Sequence, residues 1–314
     1  MSDGDQHLPL GEGREFDAIR AMLQVWGQRA RGIGDDAAVL DVPPGHQIVV
    51  STDATVEGVH FRRDWLTPEE LGARAASAAL SDLAAMAALP LGLLLAIAVP
   101  AEWNKSLLAM ARGVGDAASA AGCPIVGGNV TRARELSLTC TVIGAARHPL
   151  LRGGARTGDT VHVTGRLGGP GAAVRAWMEG GTPPTEHRAR FAAPGPRIAE
   201  ARWLADAGAT AAIDISDGLL ADAAHLAAAS GVHLDLDLAA LPCVSGVTLD
   251  EAASSGEEYE LIVTFAARLP VDAAAFEQRF GLPLTSIGIV AAGAGVTVAG
   301  SRHVDPPGGH DHFS

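Results

Sequence analysis

Six aspartates stand where a protein seldom places charge without a purpose. Asp35 and Asp36 end a glycine-tight turn, Gly32-Ile33-Gly34-Asp35-Asp36, just before the apolar run Ala37 to Leu40. Asp53 closes a β-rich run, Val49-Val50-Ser51-Thr52-Asp53. Asp82 sits inside an otherwise apolar helical stretch, Leu80-Ser81-Asp82-Leu83. Asp214 and Asp217 flank a strand-to-helix turn, Ile213-Asp214-Ile215-Ser216-Asp217-Gly218. An unpaired buried carboxylate is costly, so such residues keep a cation or hydrogen-bond donors beside them. Cationic side chains are scarce near these motifs. Magnesium takes oxygen ligands, retains water in its shell and bridges substrate phosphates, which suits Asp, Ser and Thr at element ends. Apart from His60, the motifs lack His and Cys, which argues against zinc. Each motif alone has a plainer reading, with Ser216 or Asp217 as a helix cap and Asp35-Asp36 as a surface turn. Together they favour a multi-metal phosphate site.

Charge and composition agree with that chemistry. The 314 residues carry 36 acidic and 23 basic side chains, a formal net charge of −13, which disfavours nucleic-acid binding. A polyanionic substrate entering this field needs a bound cation. Lys105 is the sole lysine, in Glu102-Trp103-Asn104-Lys105-Ser106, so neither a Walker A loop nor the protein-kinase strand lysine is present. Cys123, Cys140 and Cys243 are scattered and odd in number, a pattern of reduced thiols. The polar start, Met1 to Gln6, lacks a signal-peptide pattern, and the apolar run Ala84 to Ala101 is interrupted by Pro90 and Pro100. The expectation is a cytoplasmic protein with no membrane or nucleic-acid partner. Its 48% hydrophobic residues are ample for a core.

The elements that must position these residues are α/β or α+β in two domains, residues 1–152 and 153–314. Gln47 to Val50 predicts a strand running into Ser51-Thr52-Asp53. Thr67-Pro68-Glu69-Glu70 predicts a capped helix reaching about Ala88 and stopping at Pro90. Leu91 to Val99 reads as a buried strand, Glu102 to Ala121 as a helix, and Glu135 to Ala145 as a strand. Gly153 to Asp159 is the expected boundary. The second half predicts strands at Thr160 to Thr164, into Asp214, near Glu260 to Phe265 and at Thr285 to Val290, with helices ending near Ala207 and over Gly218 to Ala229. Pro183 to Pro196 reads as a loop with a helical turn around Glu186 to Ala192.

The glycine loops say less. Gly127-Gly128-Asn129 follows a short strand, Pro124 to Val126, and its amides could approach a phosphate. Gly165 to Gly171 precedes a helix and reads equally as a packing turn or an anion nest. Ser254-Ser255-Gly256-Glu257-Glu258-Tyr259-Glu260 is an acidic strand entry containing the only tyrosine.

In order along nearly the whole chain, these motifs resemble the thiamine-monophosphate kinase family, of the superfamily that also holds aminoimidazole ribonucleotide synthetase and selenophosphate synthetase. The resemblance rests on Gly32-Ile33-Gly34-Asp35-Asp36, Ser51-Thr52-Asp53 with Glu57-Gly58-Val59-His60-Phe61, and Leu80-Ser81-Asp82-Leu83-Ala84-Ala85-Met86. It continues through Gly127-Gly128-Asn129-Val130-Thr131-Arg132, Asp214-Ile215-Ser216-Asp217-Gly218-Leu219, Ser255-Gly256-Glu257-Glu258-Tyr259-Glu260-Leu261 and the terminal Asp311-His312-Phe313. It implies ATP-dependent phosphorylation of thiamine monophosphate to the diphosphate. It implies magnesium held by Asp35, Ser51, Thr52, Asp53, Asp82, Asn129, Asp214 and Asp217, with Asp53, Asp82 and Asp217 essential to catalysis. Gly128, Arg147 and Ser216 match positions that touch ATP; His60, Glu257 and His310 match positions at the thiamine phosphate. It also implies two α/β domains, the N-terminal ones pairing into a homodimer around a shared β-barrel. Asn129 replaces the family's usual Asp, Ser255 and Glu258 replace its usual Gly and Asp, and His310 replaces an aromatic residue.

Overall fold

The computed structural model describes residues 13–299. The chain divides into two compact units: the described part of Met1–Leu83 with Ala88–His148, and Ala84–Ala87 with the described part of Pro149–Ser314.

The first unit contains helix α1 (Arg14–Trp26), strand β1 (Gln47–Val56), helix α2 (Pro68–Ala85), strand β2 (Leu89–Val99), helix α3 (Leu107–Ala120) and strands β3 (Ile125–Arg132) and β4 (Ser137–Ala146). Its sheet runs β1-β4-β2-β3, antiparallel except for the β2–β3 pair. Helix α2 starts where its local sequence dictates. The Thr67 N–H donates to Glu70 Oε2 at 2.8 Å and the Glu70 N–H donates to Thr67 Oγ1 at 3.2 Å, a reciprocal box. It ends at Ala85, short of the expected Ala88. Ala87 turns left-handed at φ 51°, the Ala88 N–H reaches back to the Leu83 oxygen at 2.9 Å, and a new strand begins. Pro90 therefore lies inside β2, at a register shift with β4 and before pairing with β3 begins at Leu93, where a missing N–H costs least. Ala101–Ser106 forms a 3-10 turn, so α3 starts later than its sequence suggested.

Helices α2 and α3 cross at backbone contact. A Cβ on Gly72 would lie 2.0 Å from the Met110 oxygen, and one on Gly113 would lie 1.9 Å from the Glu69 oxygen. The sheet's helix-facing side is apolar, with Leu93, Leu95, Ile97, Leu138, Cys140 and Val142 at most 1% exposed.

The second unit contains β5 (Asp159–Thr164), α4 (Gly169–Met178), α5 (Thr185–Ala192), α6 (Ile198–Asp206), β6 (Ala209–Asp214), α7 (Leu219–Ser230), β7 (His233–Leu236), α8 (Leu249–Ala253), β8 (Leu261–Ala266), α9 (Ala273–Phe280), β9 (Leu284–Ala291) and β10 (Gly295–Val298). The six-stranded sheet runs β10-β7-β9-β5-β8-β6, parallel only at β10–β7. The expected loop after Pro183 is a two-turn helix, α5. Its Phe191 packs edge-on against Trp177, and His187 Nε2 bonds the Ser245 oxygen at 2.9 Å. The core gathers Val161, Val163, Ile213, Leu219, Leu226, Leu234 and Ile262. Among the described residues neither sheet closes into a barrel, and no helix is long and apolar enough to cross a membrane.

Candidate functional site

In the first unit the acidic residues are set by the two-residue alternation of β1. Ser51 pairs with Val142 and Asp53 with Cys140, both partners wholly buried, so Ser51 and Asp53 face the helix-covered side. There Ser51 Oγ donates to Asp82 Oδ2 of α2 at 2.5 Å. Asp53 is two residues further along the same face, in mid-strand and not at its end. Thr52 takes the opposite face, its hydroxyl 2.9 Å from that of Thr141. The thiols behind this face are inert. Burial, with Asp53 and Cys123 adding repulsion, pushes the Cys140 thiol up to about 12, and burial alone pushes Cys123 equally far.

A second group lines a cavity of about 430 Å³ bounded by α1, the turn Gly32–Ala38 and β3. Asp35, Asp36, Gly128 and Asn129 line it together. Gly127-Gly128-Asn129 was expected beyond a strand end but lies within β3, in parallel register with Leu94-Leu95-Ala96. Gly128 has φ 155°, and a Cβ there would sit 2.0 Å from the Leu95 oxygen, so no other residue fits. Asp35 and Asp36 remain exposed, as a surface turn would be. His60, in the loop after β1, accepts the Val56 N–H on Nδ1 at 3.1 Å, which leaves the neutral ring's proton on Nε2. Exposed Arg147 follows β4 and approaches Gly45, its Nη2 3.7 Å from where a Cβ would lie.

In the second unit β6 ends on Asp214, 4% exposed, and the turn to α7 presents Ser216 and Asp217 to solvent. Neither caps the helix: the N-cap is Gly218, and no side chain bonds there as a cap. The amides of Ser216, Asp217 and Gly218 instead donate to one oxygen, Asp222 Oδ2, at 2.9, 3.0 and 3.2 Å. Burial raises the Asp222 carboxyl to about 6, against the lowering effect of these amides and with the Asp217 charge assisting. The segment Glu257–Glu260 docks on the same turn. The Glu257 N–H donates to the Ser216 oxygen at 2.7 Å, the Tyr259 N–H to the Ile215 oxygen at 2.9 Å, and the Ile215 N–H to the Glu260 oxygen at 2.8 Å. Glu257 and Tyr259 both adopt positive φ, 63° and 53°, and the Tyr259 hydroxyl donates to Glu257 Oε2 at 2.7 Å. Asp214, Ser216, Asp217 and Glu257 are thus brought into one turn cluster.

Two of the four substitutions noted in the sequence, Ser255 and Glu258, have structural work. Glu258 Oε1 accepts the Gly168 N–H at 2.6 Å and the Ser255 hydroxyl at 2.5 Å, while Ser255 Oγ accepts the Gly171 N–H at 3.0 Å. These bonds occupy two amides of the Gly165–Gly171 loop, which makes it a packing turn. Burial pushes the Glu258 carboxyl up to about 8, and its Oε2 is buried without a partner. Glu260, wholly buried, is satisfied by Thr164 Oγ1 at 2.7 Å and by Arg197 Nε at 2.8 Å.

Sequence reasoning passed over Asp222. The signal was available: an acid in an apolar helix, the feature that singled out Asp82. His310 lies outside the described residues. Among the described residues no group of three or more His, Cys, Asp or Glu side chains is gathered closely enough to hold a metal ion. Oxygen donors in small sets nevertheless suit magnesium, which keeps several waters and binds through one or two carboxylates plus phosphates.

Residues 34–146 match the N-terminal domain of AIR synthase related proteins, and residues 156–301 match the C-terminal domain. The thiamine-monophosphate kinase of Salmonella typhimurium is 35% identical over 96% of this chain and 96% of its own. The crystal structure of thiamine-monophosphate kinase from Stenotrophomonas maltophilia superposes with a TM-score of 0.82 at 34% identity, over 95% of this chain and all of that one. A structure described as AaThiL complexed with AMPPCP and TMP aligns with a TM-score of 0.76 at 31% identity, over 95% of this chain and 97% of its own.

Proposed function

The chain belongs to the thiamine-monophosphate kinase family of AIR synthase related proteins, and from that premise we propose that it transfers the γ-phosphoryl group of ATP to thiamine monophosphate, giving thiamine diphosphate. The observation that carries this reading is full-length similarity to a relative solved with AMPPCP and TMP together. The proposed metal donors are Asp35, Ser51, Asp53, Asp82 and Asn129 in the first unit and Asp214 and Asp217 in the second, with Thr52 acting through its main chain because its hydroxyl faces away. Magnesium supplies charge neutralisation between two polyanions. Gly128, Arg147 and Ser216 are proposed to contact ATP, and His60, Glu257 and His310 the thiamine phosphate.

The acceptor is a phosphate oxygen, ionised near neutrality because its second pKa is about 6, so no strong general base is required. The chain's part is positioning for direct in-line attack. Asp82, fixed by the Ser51 hydroxyl, and Asp53 on the same face are the essential pair in the first unit; Asp217 is its counterpart in the second. Direct transfer leaves no phosphoenzyme, so γ-labelled ATP should leave no radiolabel on denatured protein.

A homodimer is proposed through β1. It is an edge strand whose Ile48 and Val50 are 58% and 59% exposed, on the face away from the helices. Cytoplasmic location is proposed from three free thiols. The first assay incubates the protein with magnesium, ATP and thiamine monophosphate and follows the diphosphate by thiochrome fluorescence. Magnesium-dependent product is expected; binding of Mg-ATP without product would move the assignment to another acceptor.

A further inference from the structure

We propose that Asp222 is a positioning residue for the second unit's metal-binding turn: its carboxylate clamps the three successive amides of Ser216, Asp217 and Gly218, and so fixes the direction in which Asp214 and Asp217 present oxygen to a divalent cation. The inference rests on the metal reading above.

Asp222 lies on α7, 2% exposed, and a single oxygen receives all three N–H groups. Three consecutive amides converging on one acceptor fix the peptide planes of the whole turn. The opposite side of that turn is fixed as well, because the Ser216 and Ile215 oxygens accept from Glu257 and Tyr259. Clamped from both sides, the turn leaves Ser216 and Asp217 exposed. Of the four amides that a helix start leaves without an intrahelical acceptor, Asp222 takes that of Gly218, and its other two donors, Ser216 and Asp217, precede the helix, so the bonds hold the turn and do not cap α7 in the usual way. Because the acceptor belongs to α7 itself, it ties down these amides while Ser216 and Asp217 stay exposed.

The test measures Mn²⁺ alone, by loss of the free-ion electron paramagnetic resonance signal, beside amide hydrogen exchange at Ser216–Gly218. The proteins are the wild type, Asp222→Ala, Asp222→Asn and, as a packing control on the same helix, Ala223→Gly. Asp222→Ala should weaken Mn²⁺ binding by about 10- to 100-fold, the usual effect of removing a residue that orients a ligand, and speed exchange of the turn amides at least about tenfold. Asp222→Asn keeps an acceptor oxygen and should stay within about threefold of wild type on the same scale. Ala223→Gly should leave Mn²⁺ affinity unchanged. Unaltered affinity in Asp222→Ala, or an equal loss in Ala223→Gly, would overturn the proposal. If Asp222→Ala does not fold, Asp222→Asn decides: a tenfold loss in that folded variant overturns it as well. Wild-type protein that takes up no Mn²⁺ removes the metal reading and this inference together, whereas wild-type uptake with an unaffected Ala variant removes the inference alone.

Discussion

Asp82, half-buried, and Glu258, buried, are acids in apolar surroundings, and they behave in opposite ways. Asp82 is met by a hydroxyl donor, Ser51, on the face where the metal is proposed, so its charge is used. Asp82→Asn keeps the shape and removes the charge; turnover should fall at least about 100-fold, as on losing a transition-state electrostatic contact. Steady-state rates at saturating ATP check this, and near-normal activity would sink the role. Glu258 has two donors on one oxygen and none on the other, and burial raises it to about 8. A carboxyl raised in the folded state stabilises most below its unfolded value, near 4.5, and that contribution is lost as pH climbs toward 8. At about 1.4 kcal/mol per pH unit the loss amounts to a few kcal/mol. Glu258→Gln keeps the acceptor for Gly168 and cannot ionise. Its stability should therefore fall less steeply than wild type across that window, the remaining slope belonging to Asp222, and exceed wild type at pH 8, as urea titrations at several pH values would show. A parallel decline in both proteins would place the pH dependence elsewhere.

At the scale of elements, the α2–α3 crossing sets where Asp82 stands. Gly113→Ala gains helix propensity, about 1 kcal/mol, but puts a methyl carbon 1.9 Å from the Glu69 oxygen. Overpacking costs about 1–3 kcal/mol, and here backbone must move, so the clash wins and calorimetry should show a lower Tm. An unchanged Tm would mean that the helices separate freely. What could be read from the sequence follows the same division between local and distant causes. The start of α2 was legible because Thr67 and Glu70 carry their capping bonds within four residues. The Gly127–Asn129 segment was misplaced because its strand exists only through parallel pairing with β2, more than thirty residues earlier, which no local pattern encodes. Helix α5 was half hidden by Pro183 and Pro184, which precede it and do not interrupt it. The acidic motifs stood out as carboxylates in apolar company. Asp222 carried the same signal, an acid in an apolar helix, but its role did not show because its partners are main-chain amides, which have no sequence signature.

For the whole molecule, a charge of −13 disfavours pairing of two copies through charge, so the proposed dimer would form through the apolar residues of an open sheet edge. A dimer should sediment at about 64 kDa, twice 32.0 kDa, and Val50→Asp should shift it to monomer. A monomeric wild type would exclude pairing through β1. The strand that would join two copies also carries Ser51 and Asp53, and among the described residues its one partner in the sheet is β4. Gln47 pairs with Ala146, a separation of 146 − 47 = 99 residues. Contacts so distant along the chain form late, after loop-closure entropy has been overcome. On the ribosome, β1 emerges long before the strand it needs. A nascent chain that ends before β4 holds Asp53 on an unpaired ribbon, so nucleotide binding cannot help the first unit fold until almost all of that unit has been synthesised.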